Sequence, residues 1–185
     1  MALEVVIPIH DDFSRAELEV MGRVSGLPID ELALAVASNL WRASQRFKQR
    51  MEAEVLREHD LSFSSFSTLF IVWIWGPIET REIARSQAVS KATVTSLLNT
   101  LEVRKLVKRK TSRQDKRLVV VELTPSGRST IEWVFPRFNQ GEAEVAGLLD
   151  LNEQLELARL LRKLVAGMDA RSSGVEPELE TEVKS

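Results

Sequence analysis

From Ile29 the apolar positions Leu32, Val36, Leu40, Ala43, Phe47, Met51 and Val55 recur at steps of three and four, with polar residues between them through Glu58. That spacing predicts a long amphipathic helix, longer than one small core needs, so part of its apolar face should pack on another chain. Upstream, Ser14 and Glu17 have capping-box spacing for a short helix running to about Gly22, before the loop Val24 to Pro28. Downstream, Ser62 can cap an almost wholly apolar helix from Phe63 to Trp75, closed by Gly76-Pro77. A short helix starts at Thr80, a turn falls near Gln87-Ala88-Val89, and Ser90 caps a further helix to about Arg104. In that helix Val94, Leu97, Leu98 and Leu101 form the buried stripe, leaving Lys91, Ala92, Thr95, Ser96 and Asn99 opposite.

Two short helices joined by a tight turn form a helix-turn-helix pattern. Leu106 to Lys110 and Leu118 to Leu123 read as strands around a polar turn, so a β-hairpin wing should follow directly. Thr124-Pro125 supplies a cap and first-turn proline for another helix, which Pro136 should kink or interrupt. Asn152 should cap the last helix, with a stripe of Leu155, Leu157, Leu160, Leu161, Leu164 and Met168. The expected fold is mainly α with a small β-hairpin wing. Residues 1–28 are expected to form an N-terminal extension, 61–124 the winged helix-turn-helix, 29–60 with 125–170 a helical dimerisation region, and 171–185 a disordered acidic tail.

Charge sharpens this picture. The whole chain has a net charge of −2, yet the stretch from Arg81 to Arg117 holds eleven Lys and Arg against three acids. Arbitrary charge clusters are usually solvated faces; this one coincides with the two-helix unit and its wing, which favours double-stranded DNA as partner. A major groove admits one helix, and the short side chains of Thr95, Ser96 and Asn99 let its backbone approach base edges. Lys91, at the helix start where backbone N–H groups point outward, suits a phosphate. Ser90, Thr93 and the wing-strand Arg109 join these as candidate contacts. The wing tip, with Arg113, Lys116 and Arg117, is long enough to reach an adjacent minor groove or its phosphates. Asp115 would brace the wing by pairing with an arginine.

Other chemistry finds little support. There is no cysteine, which excludes disulfides, thiolate metal sites and thiol redox sensing, and the two histidines, His10 and His59, sit beside acids rather than in a ligand set. No cofactor and no metal are expected. Neither GxSxG nor GxxxxGK[ST] occurs, so the chain does not read as an enzyme. The longest apolar run, Leu69 to Trp75, is seven residues against the roughly 20 of a membrane span, and the acidic start MALEVVIPIHDD lacks a signal's basic region. The expected location is the cytoplasm, without membrane association.

The stretch from Leu61 to Gly127 resembles the MarR (multiple antibiotic resistance) family of winged-helix regulators. The residues that carry the resemblance are Thr80 to Ala84, Val89 to Thr95, Leu101 to Val107, Asp115-Lys116-Arg117 and Leu123 to Gly127, and the likeness extends over roughly 29 to 170. It implies a homodimeric repressor on a pseudo-palindromic operator, one recognition helix per half-site, with Asp115 as wing brace and Arg117 in the minor groove. It also implies a crevice for a small aromatic or anionic effector; Trp41, Arg42, Arg46, Phe66, Phe70 and Trp73 are the candidates near it, although aromatics at helical spacing are usually core. Two positions depart from the family pattern: Ser96 stands where an arginine is frequent, and Lys105 where a glycine is. An alternative is a winged-helix interaction module whose basic wing meets an acidic protein. The leading 28 residues either wrap a partner's dimer face or form a frayed appendage.

Overall fold

A computed structural model describes residues 13–111 and 118–172. They form two compact units, divided between Val134 and Phe135. In the first, α1 (Arg15–Val24), α2 (Glu31–Met51), α3 (Phe63–Trp75), β1 (Ile78–Glu79), α4 (Thr80–Ser86), α5 (Lys91–Val103), β2 (Val107–Thr111) and β3 (Val119–Leu123) follow in order, and α6 (Pro125–Ala146) begins. The second holds the end of α6 and α7 (Leu151–Ser172).

The capping signals act where the spacing places them. Ser62 accepts from the Ser65 N–H and Ser90 from the Thr93 N–H, both at 3.1 Å. Ser14 and Glu17 form the reciprocal box, and α1 runs to Val24, two residues past Gly22. Glu17 does more than cap. Its carboxylate also accepts from the Asn39 amide at 2.6 Å and lies 3.6 Å from the Arg42 guanidinium, which fastens α1 to α2 beside the buried Met21 and Ala35. The hydroxyl and backbone N–H of Ser14, then Asn39 and the charge of Arg42, hold Glu17 below the ordinary glutamate range. A lowered folded-state pKa contributes stability above the unfolded value and loses it as pH falls through the folded one. Hydrogen exchange should therefore show α1 losing protection as pH drops below about 4.5, and Glu17→Gln should remove that pH dependence. Protection that is flat with pH in the native chain would contradict the fastening.

Two expectations are corrected, and a third, that Pro136 kinks or interrupts its helix, is corrected as to the interruption. The long helix does not run regularly to Glu58: α2 ends at Met51 and continues as a π turn, Glu52–Leu56, and a 3₁₀ turn, Arg57–His59, stopped by Asp60 at φ 50°. The irregular turn fully buries Leu56 and lets the Glu52 carboxylate accept the Phe63 N–H at 2.7 Å, a first-turn donor of α3. Pro136 does not interrupt α6, which is continuous through it. The missing proline N–H removes one bond from the ladder without ending the helix. The cap of α7 is Asp150, not Asn152: Asp150 Oδ1 accepts from the N–H groups of Asn152 and Glu153 at 2.8 and 3.0 Å, while its own N–H donates to Glu153. A carboxylate one residue ahead of the helix satisfies two donors that Asn152, already inside it, cannot reach.

The core of the first unit gathers Leu69, Ile83, Val94, Leu98, Leu101, Val121, Ile131 and Val134, all essentially inaccessible. Antiparallel β2 and β3 pair Val107 with Leu123 through Thr111 with Val119, one residue later at the start than the sequence pattern suggests. A third strand, unforeseen, is β1: Ile78 and Glu79 add to the other edge of β3, opposite Val121 and Val120. The apolar stripe of α2 divides along its length. Met51 is fully buried, whereas Leu32, Val36 and Leu40 are 51%, 50% and 41% exposed. On α7, Leu151, Leu155, Leu164 and Met168 are likewise exposed.

Candidate nucleic-acid interface

α4 and α5 are joined by a turn in which Ala88 takes a left-handed φ of 51°. The turn is tied down by Gln87, whose side-chain amide donates to the buried Thr68 hydroxyl of α3 at 2.8 Å. α5 buries Val94, Leu98 and Leu101, with Leu97 partly covered. Lys91, Ala92, Thr95, Ser96 and Asn99 are all exposed, and so are Ser90 and Thr93. Lys91, Thr95 and Asn99 are four residues apart, so they line one edge of that face.

At its far end α5 is anchored twice. The Arg104 guanidinium donates to the carbonyls of His59 and Asp60 at 2.5 and 2.7 Å, a cation on the orphan carbonyls where the α2 segment ends. Lys105 then adopts φ 58° itself, filling the left-handed position expected to want a glycine. Glu102 reaches across the turn to β2: it accepts the Arg109 N–H at 2.9 Å through Oε1 and pairs with the Arg109 guanidinium at 2.9 Å through Oε2. The same guanidinium donates to Asn99 Oδ1. Arg109, anticipated as a DNA contact, is thus half-buried between recognition helix and wing. Its Nε is buried with no acceptor among the described residues.

Much of the basic block is paired within the molecule. Arg81 meets Glu79 and Glu82, Arg85 meets Glu82, and Lys108 and Lys110 both reach Glu122 at 2.9 and 2.5 Å. The hydrogen bonds from Lys110 and then Lys108 hold the Glu122 carboxyl below its ordinary range, and Glu122 raises Lys108 in return. Among the described residues of the block, Lys91, Arg104 and Lys105 have no carboxylate within ion-pair distance, and Arg104 is taken up by the carbonyls of His59 and Asp60. Arg113, Asp115, Lys116 and Arg117 lie outside the described residues.

The six effector candidates do not gather round one described cavity. Trp41 and Arg42 line a cavity of about 210 Å³ between α1 and α2, with Glu17, Val20, Met21, Leu34, Ala35 and Ser38. Arg46 is exposed on α2 outside it. Phe66, Phe70 and Trp73 instead form a row along α3, successive rings 6.2 Å apart. The α1 wall of the cavity is aliphatic, and in the sequence Val20 and Met21 read as ordinary helix positions.

A helix-turn-helix whose second helix exposes short polar side chains, followed by a wing on a three-stranded sheet, defines a winged helix-turn-helix protein. The MarR family's sequence model matches residues 61–119. The uncharacterized HTH-type transcriptional regulator YwaE of Bacillus subtilis is 36% identical over 158 residues, covering 84% of this chain and 92% of YwaE. Among solved structures, BpsR of Bordetella bronchiseptica, whose DNA binding is regulated by 6-hydroxynicotinic acid, matches with TM-score 0.65 and 28% identity over 71% of this chain and 98% of BpsR. MepR of Staphylococcus aureus in complex with DNA matches with TM-score 0.64 and 26% identity over 70% and 96%. The chain belongs to the MarR family, and it is a transcriptional regulator of the MarR type rather than an enzyme. No helix of the described residues is long and apolar enough to cross a membrane.

Proposed function

We propose that the protein is a homodimeric, sequence-specific repressor that binds operator DNA in the cytoplasm and releases it when a small aromatic or anionic molecule binds. The observation that carries this reading is the exposed edge of Lys91, Thr95 and Asn99 on a helix fixed to its wing through Glu102 and Arg109. Lys91 takes a phosphate at the helix start, Ser90, Thr93, Thr95 and Ser96 approach base edges, and Arg113, Lys116 and Arg117 serve the minor groove, with Asp115 bracing the wing. Arg109 contributes from behind, by holding Asn99. The exposed apolar positions of α2 and α7 supply a dimerisation region across 29–60 and 125–170. The Trp41–Arg42 cavity is a candidate effector site; at about 210 Å³ it suits a single-ring molecule.

Asn99→Ala and Arg117→Ala should each weaken specific binding by roughly 1–3 kcal/mol. Titration of a preferred duplex checks this, and affinity equal to the native chain's would show that the assignment is wrong. A second reading, a protein-interaction module, draws on the internal pairing of Arg81, Arg85, Lys108 and Lys110 and on Ser96 in place of arginine. Salt-sensitive binding to an acidic protein, with no preferred DNA, would favour it.

A further inference from the structure

We propose that Asn99 reads guanine in each half-site and that Arg109 sets this choice as a positioning residue, by turning the Asn99 carbonyl toward itself and leaving the amide donors for the base. The proposal rests on the DNA-binding reading above. A free asparagine in the major groove is suited to adenine, because its carbonyl can accept from the N6 amino group while its amide donates to N7. Asn99 is not free. Its Oδ1 accepts from Arg109, and the guanidinium is held in place by Glu102, which binds both the side chain and the backbone N–H of Arg109 at 2.9 Å. Flipping the amide would set Nδ2 donors against guanidinium donors, so the carbonyl stays turned inward. What Asn99 can offer is its Nδ2 donors, beside a cation. An adenine amino group approaching there meets a positive charge, and the oxygen it needs is turned away toward the guanidinium. Guanine presents two acceptors, O6 and N7, on the same groove edge, whereas thymine presents O4 alone. Asn99 also shares its edge of α5 with Lys91 and Thr95, so a helix placed with Lys91 on a phosphate carries Asn99 along the same groove.

The test is selection of bound sequences from random duplex DNA by the full-length protein, followed by titration of the preferred duplex and of one with that guanine changed to adenine in both half-sites. The native protein should favour guanine by about 5- to 150-fold, and Asn99→Ala should lose the preference at that position alone. Arg109→Met should admit adenine there while other positions keep their preferences, and Arg109→Lys should retain part of the discrimination. Asn99→Asp keeps an acceptor for Arg109 but has no donor, so it should abolish the guanine preference with an unchanged melting temperature. It serves even where Arg109→Met fails to fold. Adenine at the Asn99 position, a guanine preference that survives Asn99→Asp, or a loss on Asn99→Ala that is equal for every sequence would each overturn the proposal. No enriched sequence for the native protein would overturn the DNA-binding reading itself, a different result from an enriched sequence lacking the guanine.

Discussion

Gly127→Ala is expected to destabilise the protein by about 1–3 kcal/mol at least. A Cβ at this position would lie 1.8 Å from the Leu106 carbonyl oxygen and 2.8 Å from its carbon. These are backbone atoms, which cannot swing aside as a side-chain tip can. The neighbourhood is also closed by hydrogen bonds: Thr124 Oγ1 accepts the Gly127 N–H at 3.0 Å and donates to the Lys105 carbonyl at 2.5 Å, while the Thr124 N–H donates to Leu106 at 3.1 Å. Relief would have to move the start of α6 away from the α5–β2 turn and break these bonds. That turn carries Lys105 in its left-handed conformation and sets where β2 leaves the recognition helix. Thermal unfolding should show a midpoint lower by roughly 2–4 °C for each kcal/mol lost. Gly22→Ala in α1, where nothing lies within 4 Å of the added carbon, is the control and should be neutral or slightly stabilising. Equal midpoints for Gly127→Ala and the native protein would show that the close approach is not rigid.

The second large effect is on DNA affinity. Raising salt from 50 to 200 mM should weaken binding by about 10³–10⁵-fold, as for a protein that neutralises some 6–10 phosphates. The estimate follows from which cations are available. Arg81, Arg85, Lys108, Arg109 and Lys110 are committed to carboxylates, and Arg104 to two carbonyls. Lys91 remains among the described residues, and Arg113, Lys116 and Arg117 join it in the proposed interface. Four per protomer, doubled in a dimer, falls within that range. Lys91→Ala should lower the slope of log affinity against log salt by about two per dimer and leave sequence preference unchanged. A slope near zero would mean that the basic block is internally neutralised for all purposes.

The helical frame was legible in the sequence because its signals are local. Ser14, Ser62 and Ser90 each precede a run that reads as helix, and each caps the helix it announces. The turn at Gln87 to Val89 and the buried Val94, Leu98 and Leu101 follow from the same short-range logic. What was not legible depends on contacts between distant or non-periodic residues. β1 is two residues long, too short for an alternation to register, and exists by pairing with Val120 and Val121. The π turn after Met51 serves Leu56 packing and the Glu52 contact to Phe63, neither visible in helical periodicity. Arg109 is the instructive case: composition placed it among eleven cations facing DNA, whereas the fold carries it back over the α5–β2 turn onto Glu102 and Asn99. A charge count along the chain cannot say which charges the fold consumes. The family likeness, by contrast, was readable from motif order over 61–127, a stretch that contains the 61–119 matched by the family's sequence model.

The central claim is that this molecule recognises a DNA sequence. The most direct measurement is competition, at modest salt, between duplex from upstream of its own gene and random duplex of equal length for the purified protein. The upstream duplex should be retained in complex while a large excess of random duplex fails to displace it. Equal displacement by both duplexes would contradict it.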